Sequence, residues 1–169
     1  TIGNFGGGGC GADPISLADA LRISCNTSFA QLGMDVGSDA LLTQAERFGF
    51  NDPDLTIPML VAESVFPEDM DVPVTAQSAI GQRDVQATPM QMAMVSAAIA
   101  NGGQLMTPYL VQTVRSADLH RVYETEPELY STATSPGTAA SLRDMMVGVV
   151  ESGSGTSAQI PRGPGRRQD

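Results

Sequence analysis

Residues 22–33 read RISCNTSFAQLG, and within them Ser24, Cys25 and Asn26 set a hydroxyl, a thiol and a carboxamide side by side. On a non-helical segment, side chains two residues apart project to the same side, so Ser24 and Asn26 would present their polar groups together. A hydroxyl paired with a carboxamide can relay a proton and hold an amide substrate. The same triplet also reads as a helix start, because Asn is among the strongest N-cap residues. Ser-x-Asn is common by chance, and the triplet alone leaves both readings open.

The rest of the chain narrows the chemistry. The letter K is absent, so all nine basic residues are arginine, against nineteen acids and a net charge of -10. That sign disfavours nucleic acid and anionic membrane surfaces as partners. Residues 3–11, GNFGGGGCG, read as an irregular loop; a phosphate-cradling loop needs the Gly-Lys-Ser/Thr that this chain lacks. His120 is the single histidine and makes no metal centre or triad by itself. Met90, Met92 and Met94 read as core filler, and Glu68, Asp69 and Asp71 as a solvated acidic face, so neither a metal nor a cofactor is expected. Cys10 and Cys25 are a candidate disulfide if the compartment is oxidising and two free thiols if it is not.

These side chains need elements to position them. The length suits one domain. Asp13 and Pro14 predict a helix over about 14–22, with Ile15, Leu17, Ala18 and Leu21 apolar. Phe29, Ala30 and Leu32 predict a second short helix stopped by Gly33, and Ser38 opens a third that turns Leu41, Leu42, Ala45 and Phe48 inward before Gly49. Residues 51–73 hold four prolines and many acids and read as a long irregular excursion. Thr88 and Pro89 open MQMAMVSAAIA, apolar nearly all round, which is expected to be the central buried helix. Residues 105–123 predict a hairpin with His120 exposed on it, and about 137–152 a last helix carrying Leu142, Met145, Met146, Val149 and Val150. No apolar run approaches the roughly 18 residues that span a bilayer, and the N-terminus lacks a secretory pattern, so with Thr1 first, upstream sequence is expected to be missing.

Three stretches carry a resemblance: ALRISCNTSFAQLG, AQSAIGQRDVQATPMQMAMVSAAIANGGQLMTPYLV and LRDMMVGVVESGSGTSA. Together they cover most of residues 15–158 and resemble, in the same order, the transpeptidase domain of the class B penicillin-binding proteins, the penicillin-binding protein A group above all. The resemblance implies an α+β chain: the mostly helical portion of the β-lactamase/transpeptidase-like fold, with a small β-hairpin and most of the main antiparallel sheet missing. It implies attack on the D-Ala-D-Ala end of a peptidoglycan stem peptide, an acyl-enzyme, and transfer to an amine on a neighbouring strand, with β-lactams trapping the serine. In that scheme the Ser24 hydroxyl bonds the lysine of the Ser-x-x-Lys motif and passes a proton to the leaving amine. The Asn26 amide holds that lysine and the substrate's peptide carbonyl. The implied partners are stem peptides, β-lactams, and cell-division or elongation proteins. The implied place is the extracytoplasmic face of the cell membrane, held by an anchor upstream. Disulfides are permitted there, and a bridge from Cys10 to Cys25 would pin the glycine-rich loop beside the Ser-x-Asn turn.

Two of the family's motifs have no counterpart. A chain without lysine holds neither Ser-x-x-Lys nor Lys-Thr-Gly, so this fragment alone is expected not to acylate. Residues 1–161 are read as a partial transpeptidase domain. Where the Lys-Thr-Gly strand should follow, residues 162–169 run RGPGRRQD; deleting one base from one back-translation of 160–169 restores Ile-Pro-Gly-Val-Gln-Val-Ala-Gly-Lys-Thr, so they are read as a frame-shifted tail. A serine β-lactamase with Glu63 or Glu68 as its deacylating base, and a non-catalytic remnant of the same fold, are the alternative readings.

Overall fold

Four of the six α-helices described start at a short polar side chain that accepts an otherwise unpaired amide: Ser16, Asp71, Thr88 and Ser135. The structure, a computed structural model, describes residues 2–11, 14–57, 59 and 61–160. Its helices are α1 (Leu17–Arg22), α2 (Asn26–Val36), α3 (Ser38–Arg47), α4 (Val72–Ser78), α5 (Pro89–Ala100) and α6 (Pro136–Ser152). Thr88 accepts the Gln91 N–H at 3.0 Å and Ser135 the Thr138 N–H at 3.1 Å, each followed by a proline at the first helical position.

The start of α1 differs from expectation. Ser16, not Asp13, caps it: its Oγ accepts the Asp19 N–H at 3.1 Å and its hydroxyl donates back to the Asp19 carboxylate at 2.7 Å. Asp13 lies outside the described residues. The Ser16 hydroxyl, and then Arg22 beside it, hold the exposed Asp19 carboxyl below the usual carboxylate range. α4 starts in the last two residues of the stretch expected to be irregular, 51–73, and runs beyond it. Asp71 accepts the Val74 N–H at 2.9 Å, and Pro73 falls in the first turn, where its missing N–H removes no helical bond.

Gly33 does not stop α2. It is buried in the middle of the helix against Ala79, and the helix runs on to Gly37, which has φ 90°. α3 starts at Ser38 and ends before Gly49 as expected, although its apolar face is half-buried rather than enclosed.

Two antiparallel ribbons replace the single expected hairpin. β2 (Thr113–Arg115) and β3 (Arg121–Glu124) pair around the exposed His120, with Thr113 opposite Glu124. The earlier arm, β1 (Gln104–Met106), pairs instead with β4 (Leu129–Thr132), Gln104 opposite Thr132. Pro108 lies between β1 and β2 and cannot donate to a ladder, so one continuous arm from 105 onward is not available.

The core joins α5 to the β1–β4 ribbon through Leu55, Met94, Ala98, Leu105 and Ala133, with Phe48, Met90 and Tyr130 packed against them. α5 is not enclosed all round. Gln91, Met94 and Ala98 are buried, but Met92 is 50% exposed and so is not core filler. The ribbon covers one side of α5 and α6 another, and Leu55 and Phe48 pack with its buried residues from the chain between α3 and α4. The Tyr130 hydroxyl donates to the Asp52 carboxylate; burial, and then that carboxylate, push its pKa up to about 12. The architecture is α+β with helices dominating.

Candidate active site

The turn that carries Ser24 is built from the last turn of α1. Ile23 donates its N–H to Asp19 O at 3.0 Å, Ser24 to Leu21 O at 3.1 Å and Cys25 to Ala20 O at 2.8 Å, so the chain folds back on the helix it has just left. Ser24 takes φ 60°, a left-handed conformation that costs a residue with a Cβ about 1 kcal/mol or more. Such a conformation persists where the surroundings over-determine it. Here Cys25 is 1% exposed and bonded to Cys10, with the two Cα atoms 5.8 Å apart.

With Cys25 turned inward, its two neighbours stay accessible: Ser24 is exposed and Asn26 half-buried. Asn26 does not cap α2. It is the first helical residue, and Cys25 holds the cap position without a side-chain cap bond. The acceptor comes from another part of the chain, where Asn4 Oδ1 accepts the Thr27 N–H at 3.1 Å. Asn26 Nδ2 donates to the Gly3 carbonyl at 3.3 Å, because a side chain already inside the first turn points away from the amides it would have to cap.

The far end of α6 reaches the same place. Gly153 lies against the Arg22 carbonyl so closely that a Cβ would fall 2.2 Å from the oxygen, and Ser154 donates its N–H to that oxygen at 2.9 Å. Arg22 returns a bond from Nη1 to Ser152 O at 3.4 Å. The chain therefore leaves α6 from beside the turn that leads into Ser24. Glu63 and Glu68 are solvent-exposed, and Asp71 is engaged as the cap of α4.

Sequence reasoning missed Gly3, Asn4 and the Arg22–Gly153 contact. Asn4 stands 23 positions from Thr27, and no spacing rule links them. Residues 162–169 lie outside the described residues.

The family described as the penicillin binding protein transpeptidase domain matches residues 2–167. The chain belongs to the penicillin-binding protein transpeptidase family. It is 46% identical over 148 residues to the peptidoglycan D,D-transpeptidase PbpA of Mycolicibacterium smegmatis, an alignment that takes in 87% of this chain and 30% of that protein. The crystal structure of PBPA from Mycobacterium tuberculosis superposes with TM-score 0.85 at 40% identity, over 94% of this chain and 36% of that one. The penicillin G acyl-enzyme complex of the same protein superposes with TM-score 0.83 at 42% identity, over 88% of this chain and 34% of that one. The transpeptidase portion seen here thus spans about a third of the solved structures and 30% of the curated relative. It corresponds to the mostly helical part of the transpeptidase/β-lactamase-like fold, with two small ribbons and no closed main sheet among the described residues. No helix among the described residues of this transpeptidase portion is long and apolar enough to cross a membrane.

Proposed function

We propose that Ser24 and Asn26 form the Ser-x-Asn wall of a serine peptidoglycan D,D-transpeptidase site. The observation that carries this reading is the turn itself: an exposed Ser24 and a half-exposed Asn26 on either side of a buried Cys25, in a chain belonging to the transpeptidase family. Its likeness to a protein captured as a penicillin G acyl-enzyme supports the same chemistry.

The reaction needs a serine oxygen to attack the carbonyl of the penultimate D-Ala, the C–N bond to the terminal D-Ala to break, and the departing amine to gain a proton. The Ser24 hydroxyl can donate one proton while accepting another, so it passes the proton on without becoming charged. The Asn26 carboxamide offers an acceptor to an ammonium group and a donor to the peptide carbonyl, which holds both at fixed distance. An amine on a neighbouring strand then takes the acyl group, and a β-lactam, as a stem-peptide mimic, stops at the ester.

These 169 residues hold no lysine, so the nucleophile with its activating lysine and the Lys-Thr-Gly wall must be supplied from outside them, and by themselves they are inactive. Residues 1–161 constitute the transpeptidase part. Residues 162–169 are a frame-shifted tail in place of the lysine strand; a nucleotide read in which no one-base change restores that strand contradicts this. The working location is the outer face of the cell membrane, with stem peptides and β-lactams as ligands and division or elongation proteins as neighbours.

The test uses the full-length protein translated in the frame that restores the Lys-Thr-Gly strand after residue 161. It should be labelled covalently by a fluorescent penicillin, and Ser24→Ala should slow labelling about a hundredfold, the scale of a lost proton-transfer group. An unlabelled parent, or a Ser24→Ala protein labelled at the parent's rate, overturns the reading.

A further inference from the structure

We infer that residues 3–10 clamp the Ser24–Asn26 turn and that Asn4 is a positioning residue for Asn26, an inference that rests on the reading of Ser24 and Asn26 as site residues.

The segment carries glycine at 3, 6, 7, 8 and 9, and a Cβ built on any of these meets nothing within 4 Å. None is there to let another group approach. A stretch of this composition loses the most conformational entropy on becoming ordered, so it needs anchors to stay in one place. Three of its contacts, among the described residues, fall on the consecutive residues Cys25, Asn26 and Thr27, which lead from the turn into α2. Cys10 is bonded to Cys25, the Gly3 carbonyl accepts from Asn26 Nδ2 at 3.3 Å, and Asn4 Oδ1 accepts the Thr27 N–H at 3.1 Å.

Asn4 is held in its own right. Its Nδ2 donates to Gly8 O at 3.0 Å, which fixes the carboxamide with its oxygen toward Thr27. That contact supplies the cap that Cys25, with its sulfur committed to the bridge, does not give α2. The capped first turn then sets where the Asn26 Cα stands, and the Gly3 carbonyl, one residue before Asn4, sets which end of its carboxamide is the nitrogen. One amide hydrogen of Asn26 is engaged by Gly3; the second, and the oxygen, remain available to a substrate and an ammonium group. Both halves of the Asn26 geometry are thus tied to Asn4 and its neighbour.

The experiment measures the acylation rate constant of the full-length protein, in the frame that restores the Lys-Thr-Gly strand, with fluorescent penicillin. Asn4→Ala should acylate about tenfold more slowly at a temperature where circular dichroism shows it folded, as expected when a cap is lost and a site group shifts by a fraction of an ångström. Asn4→Asp, which keeps the acceptor for Thr27, should stay within about twofold of the parent. In an Asn26→Ala background, Asn4→Ala should slow acylation by less than about twofold further, because its effect passes through Asn26. A purely structural role would lower the melting temperature equally in both backgrounds and leave acylation of the folded protein unchanged. If Asn4→Ala does not fold, Cys10→Ser, which releases the other end of the clamp, is measured in the parent background and should acylate about tenfold more slowly while folded. An Asn4→Ala (or, in its place, Cys10→Ser) protein that acylates at the parent's rate, or an Asn4→Ala substitution that slows the Asn26→Ala protein as much as it slows the parent, overturns the clamp. If Asn26→Ala itself acylates like the parent, the functional reading fails instead, so the two failures are distinguishable.

Discussion

Gly33, in the middle of α2, faces Ala79 at the end of α4 so closely that a Cβ on residue 33 would fall 2.2 Å from the Ala79 Cβ. This contact joins the helix that begins at Asn26 to α4, which follows the proline-rich stretch. Gly33→Ala should therefore destabilise the fold by about 1–3 kcal/mol, the range for overpacking, even though alanine is the better helix former by about 1 kcal/mol. Adding Ala79→Gly should recover part of the loss. Urea unfolding midpoints check both, and an unchanged midpoint for Gly33→Ala contradicts the contact.

The bridge between Cys10 and Cys25 spans 15 positions, for which chain-entropy reasoning gives on the order of 3 kcal/mol. Cys10→Ser, or reductant added to the parent, should lower stability by about that amount. Thiol titration of the unfolded parent should find no free thiol before reduction and two after. Two thiols without reductant would remove the bridge from the account.

Tyr130 gives a pH signature. Its pKa is raised by burial and by Asp52 to about 12, from an ordinary value of 10.0. A raised folded-state pKa contributes stability that is complete below pH 10.0 and is lost as pH climbs toward about 12, because the unfolded state gives up its proton first. Ultraviolet absorbance of tyrosinate should show a late ionisation, above the ordinary value of 10.0, that Tyr130→Phe removes. Asp52→Asn should bring that late titration down, and a late ionisation that survives Tyr130→Phe, or no late ionisation at all, would refute the assignment.

The helices most legible in the sequence were those with local punctuation. Thr88–Pro89 marked the start of α5, because a cap and its amide lie within one turn of each other, and Ser38 is the first residue of α3, although Gly37 holds the cap position there without a side-chain bond. Punctuation misled where a residue had a second use. Gly33 read as a stop because glycine commonly follows a helix, yet its missing side chain serves the approach of Ala79. Pro73 read as part of a loop, yet it lies in the first turn of α4. Hydropathy put α5 at the centre without revealing that Met92 stays half-exposed, since an apolar pattern shows what can be buried and not what is present to bury it.

Taken by itself, the sequence determined the family, through the long ordered string from SAIGQ to ANGG, and put Ser24 and Asn26 at the junction of two helices, although Asn26 proves to be the first residue of the second. It also excluded lysine chemistry within these residues outright. Only the tertiary structure decided how the turn is held. The cap on α2 comes from Asn4, 23 positions away, β1 pairs with β4 rather than with its nearer neighbour, and the end of α6 closes on Arg22, 130 positions from Ser152. Caps, heptads and alternation are written within a few residues because backbone geometry repeats over that distance. Contacts across the fold depend on where separate elements come to rest, and that is set by the packing of the whole chain.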